Sequence, residues 1–289
     1  LHKEYRRQRQ MCIRDRMDMN RHLTDVWSKT EGEQNQGAIL HRYMLGVYDF
    51  LERLHERYPA LLIEGCSGGG GRFDAGMLYY TPQIWCSDNT DAIERVKIQY
   101  GTSFAYPSCT VGSHVSAVPN HQTGRTTELA TRAAVAMAGS FGYELDLNLL
   151  TEEEKEQVRA QIKNYHRFEM LIRQGRYYRL TDVWQKKEYA AWEYCRPDGS
   201  EALVTVVTLN TQCNPATEYV KLRGLGEDKK YRVEVVGMQT GGENGQRING
   251  TPNAVEPEYY TGAQLVYAGV PVPRLGNEYK SWQVYVKEV

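Results

Sequence analysis

Ala60-Leu-Leu-Ile-Glu64 runs straight into Gly65-Cys-Ser-Gly-Gly-Gly-Gly-Arg72, a short apolar run opening into a glycine-rich loop. That pairing reads as a buried parallel strand delivering a loop at its C-terminal end. Upstream, residues 36–58 carry Ile39, Leu40, Tyr43, Met44, Val47, Tyr48, Phe50, Leu51 and Leu54 at near-helical spacing and stop at Pro59, which predicts a helix. Downstream the unit recurs. Gln83-Ile-Trp-Cys86 leads into Ser87-Asp-Asn-Thr-Asp91, whose polar residues can cap a helix over 92–100. A strand over 114–118, a loop over 119–124 and a helix over 127–138 make a third unit. A strand over 141–146 and a helix over 152–174, opened by a Thr151/Glu154 capping box, make a fourth. Strand–loop–helix units in series require a parallel sheet with helical crossovers, either doubly wound or a (β/α)8 barrel. Residues 18–178 are too few for a whole barrel, which takes about 250.

Beyond residue 174 the pattern changes. Segments 192–194, 202–209, 218–222, 231–236, 264–268 and 281–286 are short, rich in Val and Tyr, and separated by turn signals such as Pro197-Asp-Gly-Ser200. They predict an antiparallel β-sandwich. Over the whole chain of 289 residues, 35 Lys and Arg against 36 Asp and Glu leave a net charge of −1, which argues against a nucleic-acid partner. No apolar run approaches the roughly 18 residues of a membrane span, so no membrane partner is expected. Residues 1–16 are basic but lack the apolar core of a secretory signal. The six cysteines form no CxxC pair and read as reduced thiols, which favours a cytoplasmic setting. The seven histidines show no HExxH or zinc-type spacing, so no metal is expected.

Three local features carry chemistry, each with a plainer reading beside it. The run Gly68–Gly71 lacks the Lys-Ser/Thr of a phosphate loop and the spacing of a dinucleotide fingerprint; it is either a tight turn or a site of close backbone approach to a small ligand. Ser87-Asp-Asn-Thr-Asp91 sets two carboxylates at a helix mouth, where capping alone would explain them. Asp88 stands out because it follows a strand's C-terminal end, where barrel enzymes place catalytic groups. Asp18, in Met17-Asp-Met-Asn-Arg-His22, would alone be an ordinary surface acid.

Four stretches taken together, Asp18-Met-Asn-Arg, Glu64-Gly-Cys-Ser-Gly-Gly-Gly-Gly-Arg-Phe-Asp74, Trp85-Cys-Ser-Asp-Asn-Thr-Asp-Ala-Ile-Glu-Arg95 and Ser116-Ala-Val-Pro-Asn-His-Gln-Thr-Gly-Arg125, resemble the α-galactosidases of glycoside hydrolase family 36 in order and spacing. The resemblance implies an α/β fold: the C-terminal part of a (β/α)8 TIM barrel over residues 18–178, then an antiparallel β-sandwich domain over 179–289. It implies a retaining hydrolase that releases terminal α-linked galactose from oligosaccharides of the melibiose and raffinose type. Asp18 matches the family nucleophile and Asp88 the acid/base. Asn20, Cys66 and Gly68 match contacts to galactose. No cofactor is implied, and family members are often tetramers, so a homo-oligomer is expected of the complete protein.

The chain also departs from the family pattern. Arg16-Met17 stands where the family has Lys-Trp, and an Arg does not replace the point donor of a Lys. Residues 1–17 read as a leader foreign to the family, with an assembly artefact as one reading of it. The family's N-terminal β domain and first barrel strands are expected upstream of this sequence, and the chain as written is expected to be inactive alone. Three other readings share the residues: an α-N-acetylgalactosaminidase, a galactosyltransferase of the raffinose-synthase kind, and a carbohydrate-binding remnant that uses the Tyr-rich strands as a stacking surface.

Overall fold

The computed structural model describes residues 14–18, 26–213, 216–236, 258–273 and 278–289. Most of the leader and Asn20 lie outside them. The chain divides into two compact units, Leu1–Asp88 with Thr110–Gly112, and Asn89–Cys109 with Ser113–Val289.

In the first unit three short parallel strands lie in sequence order: β1 (Arg14–Met17), β2 (Leu62–Gly65) and β3 (Gln83–Ile84). A parallel bridge from Ile84 to Val111 continues the pairing. β1 thus begins inside the segment read from sequence as leader. Helix α1 (Ile39–Arg57) links β1 to β2 after a 3-10 turn at Glu33–Ala38, and it ends where Pro59 forbids continuation. Its buried Val47 and Leu51 close on Ile63 of β2 and on Met77 of helix α2 (Ala75–Tyr80), with Met17 packed against the group. Register places Gly65 between Met17 and Ile84, and Glu64 between Arg16 and Gln83. Because side chains alternate along a strand, Ile63 and Met17 face the helices while Glu64 and Gln83 face the opposite, interior side. There the Gln83 Nε2 donates to Glu64 Oε2 at 2.7 Å.

The second unit holds α3 (Ala92–Thr102), β4 (Gly112–Ser116), α4 (Leu129–Ala136), β5 (Ser140–Glu144) and α5 (Glu152–Gln174). Both halves of the Thr151/Glu154 capping box are formed at the start of α5. Next come β6 (Arg176–Arg179), β7 (Tyr189–Cys195), β8 (Glu201–Thr208), β9 (Tyr219–Val220), β10 (Lys230–Val236), β11 (Glu258–Thr261), β12 (Val270–Pro271) and β13 (Ser281–Glu288). Six of them form an antiparallel sheet in the order β11-β10-β13-β8-β7-β6, and β9 and β12 pair as a separate ribbon. One face of the large sheet packs Trp192, Tyr194, Leu203 and Tyr285 in the same core as Phe168, Leu171 and Ile172 of α5. The other face packs Ala191, Cys195, Val204, Val284 and Trp282 with Val220 and Val270 of the ribbon. All seven residues of β7 are therefore buried, and the polar–apolar alternation of a one-sided sheet is absent.

Residues 264–268, expected as a strand, form a π-helical turn closed by the Gly269 N–H on the Gln264 carbonyl at 2.9 Å. The Val- and Tyr-containing run Gln-Leu-Val-Tyr reads as a strand, but Gly269 has φ +89° and lies against the Val220 carbonyl, ending the segment with a reversal that only glycine allows. Leu265 still reaches the inner core. The five described cysteines are free thiols, and Cys12 lies outside the described residues.

Glu193 sits fully buried on β7, on the face shared by Ala191 and Cys195. Its Oε2 accepts the Arg223 backbone N–H at 2.7 Å, and Oε1 has no hydrogen-bond partner. Burial pushes its pKa up to about 8 despite that hydrogen bond. The folded chain thus holds a neutral acid at pH 7 that ionises on unfolding. Between about pH 4.3 and the folded pKa the unfolded state binds fewer protons, so stability falls as pH rises through that window. Glu193→Gln is expected to abolish the fall and to raise stability at pH 7 by on the order of 2 kcal/mol. Urea midpoints at acid and neutral pH measure both; equal slopes for the two proteins would refute the assignment.

Candidate active site

Asp18 leaves β1 at its C-terminal end, one residue past Met17, and its side chain is exposed. Strand pairing continues to the Cys66 N–H, which donates to the Met17 carbonyl at 3.1 Å. The chain then turns left-handed over four successive residues, Ser67 (φ +70°), Gly68 (+62°), Gly69 (+77°) and Gly70 (+94°). Three glycines take this conformation without cost from a Cβ, and the Ser67 side chain bears the strain. The coil aims the N–H groups of Ser67 and Gly68 at one oxygen of Asp18, 3.1 and 3.2 Å away. Two converging amides suit an anion, as in backbone anion nests. The group they hold here is the chain's own Asp18 side chain.

The same coil presses on the loop after β3. A Cβ on Gly69 would lie 2.8 Å from the Asp88 amide nitrogen and 3.1 Å from the Ser87 Cα, and one on Gly70 would lie 3.1 Å from the Cys86 carbonyl oxygen. Only glycine permits this approach. It links the two carboxylates through three residues of backbone: Ser67 and Gly68 bond Asp18, and Gly69 touches Asp88. Beyond the coil, Asp74 caps α2 through the Met77 N–H at 2.7 Å and accepts the Tyr48 hydroxyl at 2.8 Å, while Arg72 donates to the Tyr43 hydroxyl at 3.2 Å. Two tyrosines of α1 thereby fix the far end of the loop.

Asp88 accepts the Trp85 indole N–H on Oδ1 at 3.0 Å. Trp85 is buried, its own amide donates to the Gly65 carbonyl at 2.8 Å, and a Cβ on Gly112 would come within 3.3 Å of its ring. Sequence reasoning left Trp85 out of the candidate site residues. The polar tip of its indole was the signal that could have found it.

Of the residues singled out from sequence, Asp18, Cys66, Gly68 and Asp88 come together in the first unit, and Asn20 lies outside the described residues. Gly68 contributes its amide to Asp18, and Cys66 is buried at the start of the coil. Asp91, the other carboxylate of its motif, is a structural group of the second unit. It caps α3 through the Ile93 N–H at 2.9 Å and pairs with Arg125 at 2.5 Å. Burial pushes its carboxyl up, but the bonds from Arg125, Thr123 and the Ile93 amide outweigh burial and hold it below the usual carboxylate range.

The Melibiase family matches residues 12–175, and the glycosyl hydrolase family 36 C-terminal domain matches residues 189–286. The bifunctional α-galactosidase/sucrose kinase AgaSK of Mediterraneibacter gnavus is 52% identical over 94% of this chain and 26% of its own length. The α-galactosidase AgaA of Geobacillus stearothermophilus is 43% identical over 94% of this chain and 34% of its own. Among solved structures, the galactosidase domain of AgaSK superposes with a TM-score of 0.82 at 51% identity, covering 96% of this chain and 34% of that one. An AgaA variant in complex with raffinose gives 0.83 at 42%, covering 96% and 35%. The chain thus spans about a quarter to a third of the length of the relatives it matches. With residues 12–175 on the Melibiase pattern and the antiparallel sheet on that of the family 36 C-terminal domain, the chain belongs to the Melibiase family and carries the C-terminal part of a family 36 barrel with its β domain.

Proposed function

We propose that this chain is the C-terminal portion of a retaining α-galactosidase acting on melibiose- and raffinose-type oligosaccharides, in which Asp18 is the nucleophile and Asp88 the acid/base. The observation that carries this reading is the left-handed coil 67–70, which bonds one carboxylate and abuts the backbone of the other. Retaining glycosidases need two such groups about 5–5.5 Å apart. Asp18 attacks the anomeric carbon as Asp88 gives its proton to the glycosidic oxygen, and the bond to the leaving sugar breaks. Asp88 then takes a proton from water, whose oxygen displaces Asp18 and frees galactose with its α configuration kept. The relatives named for α-galactosidase activity, and the AgaA variants held with raffinose and stachyose, support the substrate class. Asn20, Cys66 and Gly68 are proposed as further galactose contacts. The complete protein is proposed to be a cytoplasmic homo-oligomer.

The test exchanges residues 18–289 into AgaSK in place of its matching segment. A folded hybrid is expected to release galactose from raffinose, with α-galactose seen first by NMR. A folded hybrid that releases none, or that releases β-galactose first, would overturn the proposal.

A further inference from the structure

We propose that Trp85 is a positioning residue for Asp88 and decides which of its oxygens carries the transferable proton; the functional half of this statement rests on Asp88 being the acid/base. The indole nitrogen can donate a hydrogen bond and cannot accept one. Its N–H points at Asp88 Oδ1 from 3.0 Å. A proton on Oδ1 along that line would set donor against donor, so the neutral acid keeps Oδ1 as its carbonyl-type acceptor and carries hydrogen on Oδ2. When the Oδ2–H bond breaks and the proton passes to the leaving oxygen, the electron pair stays on the carboxylate. The same N–H then meets an anion, and the bond becomes charge-assisted. In the second half of the reaction water returns its proton to Oδ2, and the arrangement is restored.

The indole is held for this task from three sides. The Trp85 amide is tied to β2 through the Gly65 carbonyl at 2.8 Å. The ring is buried, and Gly112 admits it where a Cβ would stand 3.3 Å from Cε3. On the far side of the motif Gly69 packs on the Asp88 amide. Both ends of the hydrogen bond are thus set by backbone contacts, while a tryptophan retained only as filler would need no aligned donor.

The experiment is NMR of the full 289-residue chain with 15N-labelled tryptophan, the Trp85 indole signal being identified by its loss in Trp85→Phe. At neutral pH that signal in the unaltered chain is expected to lie downfield of its position in Asp88→Ala, because the carboxyl oxygen accepts from the indole. At acid pH it is expected to lie downfield of its position in Asp88→Ala, because the neutral acid still accepts. A signal that coincides with Asp88→Ala at neutral pH would overturn the pairing. A signal that coincides with Asp88→Ala at acid pH would overturn the placement of the proton. Neither result depends on activity, so a failed galactosidase assay and a failed hydrogen bond remain separate outcomes.

Discussion

In the AgaSK hybrid, Asp18→Ala is expected to lower the rate on raffinose by on the order of 10⁴-fold, because no other group can form the covalent intermediate. Azide restores turnover of an activated aryl α-galactoside by entering the space left by the carboxylate. It attacks from the nucleophile's side, so the product is β-galactosyl azide. Asp88→Ala is expected to behave differently. An aryl galactoside with a good leaving group still forms the intermediate, because it needs little protonation, whereas raffinose loses on the order of 10²–10⁴-fold. Azide then displaces Asp18 from the intermediate and yields α-galactosyl azide. The two products, separated by their anomeric coupling constants, assign the roles independently of any rate. If both variants gave the same anomer, the assignment of nucleophile and acid would fall.

Gly69→Ala is expected to cost about 10²-fold in kcat with a smaller change in KM. The methyl would sit 2.8 Å from the Asp88 nitrogen and 3.1 Å from the Ser87 Cα, and a backbone φ of +77° adds strain of its own. Both neighbours are main chain, so the strain moves the acid loop, and a displacement of about 1 Å at a reacting group is enough for such a loss. Gly46→Ala on α1 is the control. Nothing lies within 4 Å of its added carbon, so activity should not change and the helix should gain about 1 kcal/mol. Thermal melting and kinetics on the two variants separate the effects. A Gly69→Ala enzyme with unchanged kcat would mean that the coil does not position Asp88.

What was legible in the sequence was whatever depends on neighbours along the chain. Pro59 ending α1, Thr151 and Glu154 boxing the start of α5, and Asp91 capping α3 are all local events. The glycine run was legible as a site of unusual backbone conformation, though its occupant was not. The amides of Ser67 and Gly68 meet a side chain from a distant strand, Asp18. The link from Asp18 to Asp88 was out of reach because it passes through contacts of Ser67, Gly68 and Gly69 that only the folded chain makes. Only the resemblance could pair the two. The β domain was legible as short strands rich in Val and Tyr between turn signals, but not the burial of β7, Tyr-Ala-Ala-Trp-Glu-Tyr-Cys, which is complete because helices cover one face and the β9–β12 ribbon the other. Residues 264–268 were misread because a short run containing Val and Tyr carries no record of where a glycine reverses the chain.

Phe168, Leu171 and Ile172 of α5 share one core with Trp192, Leu203 and Tyr285 of the sheet. The change of pattern near residue 174 therefore does not divide the core, and helices α3–α5 are expected to share protection from amide exchange with the central strands. A protease cutting after α5 would release a sheet with an unwetted apolar side, and such a sheet associates with itself before it meets any sugar. Lectin-like behaviour of an excised β domain would report that stickiness. In the intact chain that apolar side is covered, helices packing on one face of the central strands and the β9–β12 ribbon on the other.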